Sequence, residues 1–329
     1  MPHTATALGA EEYTGLVTST LQKIEADLAD QVLRRHPTLD LFRENSQSET
    51  GRALVYNLIA AEDDSTGFTD NSGSFSTDKS PNIIGAAEYE WSSPLVSKIR
   101  VDWKTLQMNS GEQQIVDLLK THIEGMKRGH SKKLAQLIHN LGTAHEAGQF
   151  ESFDTLFGDS STNPTVGGIT AGDSDHFWNA QRLTIASGTE SSIHKVFRTV
   201  ENELRQETSD GHQLTHIIAG RDVFEEYVDE VADKTRYLLN QGPADSNQPQ
   251  TAFSEVYFGN IPVRFDPDCQ NDRAYFIDIN TLRLRYLNGN FMKVQPAQQI
   301  TGTLDFVTPL ATVAAVGTNE RRANAVLVR

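Results

Sequence analysis

One apolar stripe, running from Gly111 to Leu141, limits the folds open to this chain more than any other feature. Ile115, Leu118, Leu119, Ile123, Met126, Leu134, Leu137, Ile138 and Leu141 return at the spacing of a single helix face. Ser110 stands where it caps the first amides while Gln113 reaches back, an arrangement of the capping-box kind. Gly125 and Gly129 interrupt the pattern, each costing about 1 kcal/mol relative to alanine, so a bend is expected there. Taken as continuous, the helix is roughly 45 Å long, a strut well beyond the average globular helix.

A second constraint lies upstream. Two strand-like runs, Leu54–Ala60 and Ala87–Val101, enclose a polar finger rich in Asp, Ser, Gly and Thr. A structureless insert of that length marks a functional loop, a linker or a mistaken assignment.

The remaining pattern mixes helices and strands. Leu16, Leu21, Ile24, Leu28 and Leu33 give a helix over Glu11–Arg35, ended by Pro37, and His36–Gly51 reads as a connector. From Gly142 to Gly188 turn residues dominate, with Phe150, Phe153, Leu156, Phe157, Ile169, Phe177 and Trp178 as anchors that pin a long loop. Helices are expected over Ser191–Glu207 and Arg221–Leu239, with a strand in "HQLTHIIAG" between them. After the polar link "NQGPADSNQPQ" come strand, turn, strand and strand, and then a tail with at least two more strands around a turn at Gly317–Asn319. Helices and strands without regular alternation make the fold class α+β. No internal repeat of fixed period is present.

Composition narrows the function classes. The 329 residues carry a formal net charge of -15, which argues against sequence-independent grip on nucleic acid. One local basic run, "MKRGHSKK" from Met126 to Lys133, reads as a solvated helix face. The single cysteine, Cys269, excludes an intramolecular disulfide and a multi-cysteine zinc site. The longest apolar run, Pro309–Val316, is too short to cross a bilayer, and the first residues lack the basic and apolar parts of a secretory signal. Synthesis in the cytoplasm is expected.

No catalytic site assembles from motifs. There is no P-loop, no G-x-S-x-G elbow and no H-E-x-x-H; His145 and Glu146 are adjacent but the second histidine is missing. "GGITAG", Gly167–Gly172, has neither the spacing nor the strand context of a dinucleotide fingerprint. Asp173, Asp175 and His176 are the densest potential metal ligands, in a glycine-rich loop where turn and solvation roles fit such residues. Asp63, Asp64 and Asp70 do not match a calcium loop. Cys269 follows "DPD", whose carboxylates disfavour a thiolate. His122 reads as a partly buried structural histidine, and Glu225, Glu226, Asp229 and Glu230 as a solvated face. No catalytic, cofactor or metal residue is assigned.

The order of parts and several short phrases resemble the major capsid proteins of tailed bacteriophages. The phrases are "VGGITAGDSDHFWN" (Val166–Asn179), the passage from Val256 to Tyr286 around "DPDC", and "TNERRANAVL" near the C-terminus. The resemblance spans about Leu41 to Val328 and implies the Hong Kong 97-type shell fold. It implies an N-terminal arm (1–45), an extended β-hairpin loop with flanking strands (46–105), and a peripheral domain with a spine helix (106–190). An axial α/β domain (191–289) and a returning C-terminal β segment (290–329) complete it. The implied role is a self-assembling icosahedral shell around double-stranded DNA, built from hexamers and pentamers. Scaffolding, portal and decoration proteins are the implied partners, without membrane contact or sequence-specific DNA binding. Phe68, Phe75 and Lys79 become the candidate inter-subunit contacts on the finger. One branch of the family joins subunits through a loop lysine and an asparagine; the finger here holds Lys79 alone. No long extension precedes the arm, so a separate scaffolding protein is expected. The alternatives are an encapsulin-like bacterial compartment and a cytosolic α+β enzyme.

Overall fold

A computed structural model describes residues 36–59, 83–104, 112–139, 148–158, 165–171, 178–184, 192–207, 213–239 and 256–329. The helix expected over Glu11–Arg35 lies outside them. The first described element, α1 (Pro37–Asn45), starts on a proline, whose fixed φ suits a first helical turn that has no use for its missing amide. Leu39, Leu41 and Phe42 of α1 are buried, and β1 (Gln47–Glu49) follows it, in parallel with Arg285–Leu287. The expected connector is therefore a helix and a strand. Three apolar residues suffice to bury so short a helix, too few to register as a periodic pattern.

Next, β2 (Ala53–Ile59) and β3 (Ile83–Glu90) form an antiparallel ribbon, in register from Ala53 opposite Glu90 to Leu58 opposite Gly85. The expected single run Ala87–Val101 is two strands. The chain turns a corner at Trp91–Pro94, where Pro94 has no amide to give a ladder. The Ser92 amide donates to Ala314 O (3.0 Å) and that of Ser93 to Gly148 O (2.7 Å). Beyond the corner, β4 (Leu95–Val101) pairs with Phe306–Thr312 instead of with β2.

The strut is present as α2 (Glu112–His139), 28 residues that run unbroken through both glycines. Ile123, Met126, Leu134, Ala135 and Ile138 form its buried face. The aromatic anchors of the following loop are buried too: Phe150, Phe153, Leu156, Phe157 and Trp178. Ser152 caps the one-turn helix α3 (Phe153–Leu156). A two-residue hairpin then joins β5 (Thr165–Val166) to β6 (Ile169–Thr170).

The second half contributes β7 (Gln181–Thr184), α4 (Ile193–Glu207), β8 (His216–Ala219), α5 (Arg221–Leu239), β9 (Val256–Phe258), β10 (Ile261–Phe265) and β11 (Arg273–Ile277). The chain continues through β12 (Leu282–Leu287), β13 (Lys293–Val294), β14 (Gln298–Gln299), β15 (Phe306–Thr312), β16 (Ala314–Thr318) and β17 (Ala325–Val328). Gly317 and Thr318 lie inside β16, and the expected turn falls later, around the 3₁₀ turn Arg321–Ala323.

A six-stranded mixed sheet, β7-β17-β11-β8-β10-β9, divides the interior. Because neighbouring side chains on a strand point to opposite faces, β11 sends Ala274 and Phe276 to one core and Tyr275 and Ile277 to the other. In β8, Ile217 and Ala219 face one way and Ile218 the other; in β17, Ala325 and Leu327 oppose Val326. One core is roofed by α4 and α5, and the other gathers α1, the ribbon, the C-terminal part of α2 and the aromatic loop. Each fully buried Leu, Val or Phe contributes about 1.5–3 kcal/mol. The arrangement is α+β, as expected.

Candidate assembly site

The base of the β2–β3 ribbon is fastened into the main core. Leu54, Leu58, Ala87 and Tyr89 are buried on one face, while Val55 on the other is 53% exposed. The Tyr89 hydroxyl donates to Thr318 O at 2.9 Å, and burial holds its pKa far above the usual phenol value. On the adjoining hairpin, the turn residue Gly167 has φ +61°, and an added Cβ would lie 3.1 Å from the Ala87 Cβ. The Glu88 amide donates to Gly167 O at 2.9 Å, so the hairpin grips β3 directly. Trp178 Nε1 donates to Val166 O at 3.0 Å. The buried Arg321 guanidinium donates to Trp178 O and Leu156 O (both 3.0 Å) and to Gly158 O (2.6 Å). Two of the phrases that carry the family resemblance, around Val166–Trp178 and Arg321, thus meet at the ribbon's base.

The third phrase builds a polar knot. The Thr38 hydroxyl donates to Asp266 Oδ2 and, its proton spent there, accepts from His139 Nε2 at 2.9 Å. The same nitrogen lies 3.4 Å from Asp266 Oδ2. The Thr38 amide also donates to Asp266 Oδ2 (3.2 Å), and that of Asp268 to Asp266 Oδ1 (2.9 Å). His36 Nδ1 lies 2.6 Å from Asp268 Oδ2. Burial pushes the Asp266 carboxyl up, but the bonds from His139, Thr38 and the Asp268 amide outweigh it and hold it at about 2.

This knot is not a nucleophilic triad. A histidine acting as base faces the hydroxyl with one ring nitrogen and the carboxylate with the other. Here Nε2 faces both, and Nδ1 has no hydrogen-bond partner in the described structure. Thr38, His139 and Asp266 are all 0% exposed, which leaves no path for a substrate. The knot joins α1, the end of α2 and the turn after β10. Burial raises the pKa of the Cys269 thiol strongly, with the Asp266 charge adding to it, so the nucleophile is switched off.

Several sequence candidates lie outside the described residues: Phe68, Phe75 and Lys79 of the finger, Asp63, Asp64, Asp70, His145, Glu146, Asp173, Asp175 and His176. His122 is exposed on α2, a correction to the partly buried expectation; its place on the wheel is next to the stripe rather than in it. The helix's interior histidines are His130 and His139. Glu226 and Glu230 are not a solvated face either. Glu226 pairs with Arg329, and Glu230 accepts from Ser192 Oγ (2.5 Å) and the His194 amide (3.0 Å), holding the start of α4. Among the described residues no three His, Cys, Asp or Glu side chains converge as metal ligands. No helix there is long and apolar enough to cross a membrane.

Sequence reasoning did not single out Arg321, Asp266 or His139 as fastenings. Apart from the Asp268 amide on Asp266, their side-chain partners stand more than 100 positions away in the chain. The phrases containing Asp266 and Arg321 were the available signal.

No protein-family model matches the chain, and neither does any curated protein. Solved structures do. A subunit of the cyanophage A-1(L) capsid asymmetric unit superposes with a TM-score of 0.68 at 14% identity, covering 89% of this chain and 92% of its own. The fold is that of phage capsid proteins. The capsid of an empty GTA particle is also similar (TM-score 0.57, 10% identity, 87% and 88% covered). So is a virus-like particle from Pyrococcus furiosus (0.51, 11%, 93% and 98%). Within this fold the ribbon's base, the hairpin and the knot are all built from buried side chains.

Proposed function

We propose that the chain is the major capsid protein of a tailed bacteriophage, assembling as hexamers and pentamers into an icosahedral shell around double-stranded DNA. The observation that carries this reading is the match to the cyanophage capsid subunit across nearly the whole of both chains. The finger between β2 and β3 is the extended loop, reaching a neighbouring subunit, with Phe68 and Phe75 as apolar anchors and Lys79 beside them. The arm (1–45), loop (46–105), peripheral (106–190), axial (191–289) and returning C-terminal (290–329) parts follow the same scheme. Scaffolding, portal and decoration proteins are the partners of such a shell, which forms in the host cytoplasm and ends in the virion.

A second reading is favoured by one observation, the likeness to the Pyrococcus furiosus particle. In it the chain is an encapsulin-like compartment that encloses proteins. Size-exclusion chromatography and electron microscopy of the recombinant protein, with and without co-expressed phage assembly proteins, test both. Megadalton shells that take up DNA through a portal support the capsid. Shells filled with a cargo protein support the compartment, and a persistent small oligomer sinks both.

A further inference from the structure

The solvent-facing side of α2 between His122 and Gln136 differs from the rest of this acidic chain. At about 100° per residue, Gly125, Gly129 and Gln136 run down the middle of that side. Arg128 and Lys132 flank them on one edge, His122 and Lys133 on the other. His122, Arg128, Lys132 and Lys133 are exposed, and none of the three long cations has an ion-pair partner among the described residues. Glu124, half-buried, lies about a third of a turn away from the lane's centre. An added Cβ at Gly125 or Gly129 would meet nothing within 4 Å. The subunit's own packing therefore does not require glycine, although each costs about 1 kcal/mol against alanine.

A flat lane edged by cations with no ion-pair partner among the described residues suits a polyanion. A protein partner fits it poorly, because interface centres are built on apolar and aromatic anchors and are depleted in lysine. No exposed apolar side chain lies between His122 and Lys133 on α2. Arg128, Lys132 and Lys133 spread over about 7.5 Å of helix axis, and their long side chains reach neighbouring phosphates of one strand. We infer that this lane of α2 seats the phosphate backbone of duplex DNA, without regard to base sequence. The proposal rests on the reading that the shell encloses DNA. The net charge of -15 keeps other surfaces repellent, so the contact is weak per subunit and gains effect only by repetition over the shell.

Binding of a fluorescent 30-base-pair duplex to unassembled subunits, titrated against salt, tests it. Three neutralised phosphates give a log–log slope of about -2.7, so affinity falls about 40-fold from 50 to 200 mM salt. The Arg128→Gln/Lys132→Gln/Lys133→Gln variant is expected to lose most of that binding and to change less than about 2-fold over the same range. Equal slopes in both proteins, or no salt-dependent binding by the parent, overturn the proposal. Should the triple variant melt lower than the parent, Gly125→Leu/Gly129→Leu replaces it. That variant fills the lane without touching a charge, and several-fold weaker duplex binding is expected; unchanged binding overturns the proposal. Micrographs of the same variants separate this idea from the capsid reading. Normal shells with lost duplex binding support it, whereas lost shells with intact duplex binding assign the lane to a protein partner and overturn it.

Discussion

Single residues in this molecule matter most where they close a gap between distant segments. Arg321 satisfies three carbonyls from two loops with one planar fork, a geometry that an ammonium cannot copy. Arg321→Met is expected to cost about 3–5 kcal/mol, and Arg321→Lys to recover only part of it, by chemical denaturation. Gly220 has a different reason: an added Cβ would sit 1.8 Å from Gln270 O, inside the turn that carries the knot. Gly220→Ala therefore forces backbone to move, and a loss above about 3 kcal/mol is expected in the same assay. Asp266 sets an acid limit. Its folded pKa of about 2 lies below the ordinary 3.8, so the unfolded chain binds more protons between those values and stability falls as pH drops through that window. At higher pH the full contribution, about 2 kcal/mol, is present. Asp266→Asn should flatten the stability profile between pH 4 and 2 while lowering it above.

At the scale of elements, α2 is held on its sheet by a buried histidine as well as by its apolar face. His130 meets Ser97 Oγ through Nδ1 (2.9 Å) and Thr312 Oγ1 through Nε2 (2.8 Å), bridging β4 and β15. Burial depresses its pKa to about 4, below the ordinary 6.5. The unfolded chain takes up the proton first, so this docking weakens as pH falls from 6.5 toward 4 and is fully present above that range. Thermal melts of His130→Gln should lose the corresponding part of the parent's slope across that window; an unchanged slope would show that the acid sensitivity arises elsewhere. The long elements were legible in the sequence. The span of α5 agrees with its expectation, and the described part of α2 fills its expected span from Glu112 to His139, because their periodic faces are long. What escaped were short or interrupted pieces. α1 and β1 hid in a polar segment, and the corner at Trp91–Pro94 hid inside a run that reads as one strand. The knot was invisible for another reason: propensity and periodicity carry no information on which side chains meet across 100 or more residues.

The whole molecule has two cores on either side of one sheet and a ribbon whose described base is locked into one of them. That base is fixed by Tyr89, Gly167 and the hairpin, and the chain between β2 and β3 carries the polar finger with its two phenylalanines. The capsid reading assigns the finger to a neighbour and leaves the subunit's own cores independent of it. Removing Asp63–Ser80 separates these roles most directly, with thermal melting of the subunit and electron microscopy of the assembly product measured on the same preparation. The expected result is a melt within about 2 °C of the parent's, since none of the described core residues is removed, together with loss of closed shells. Closed shells of normal size from the shortened chain would contradict the account.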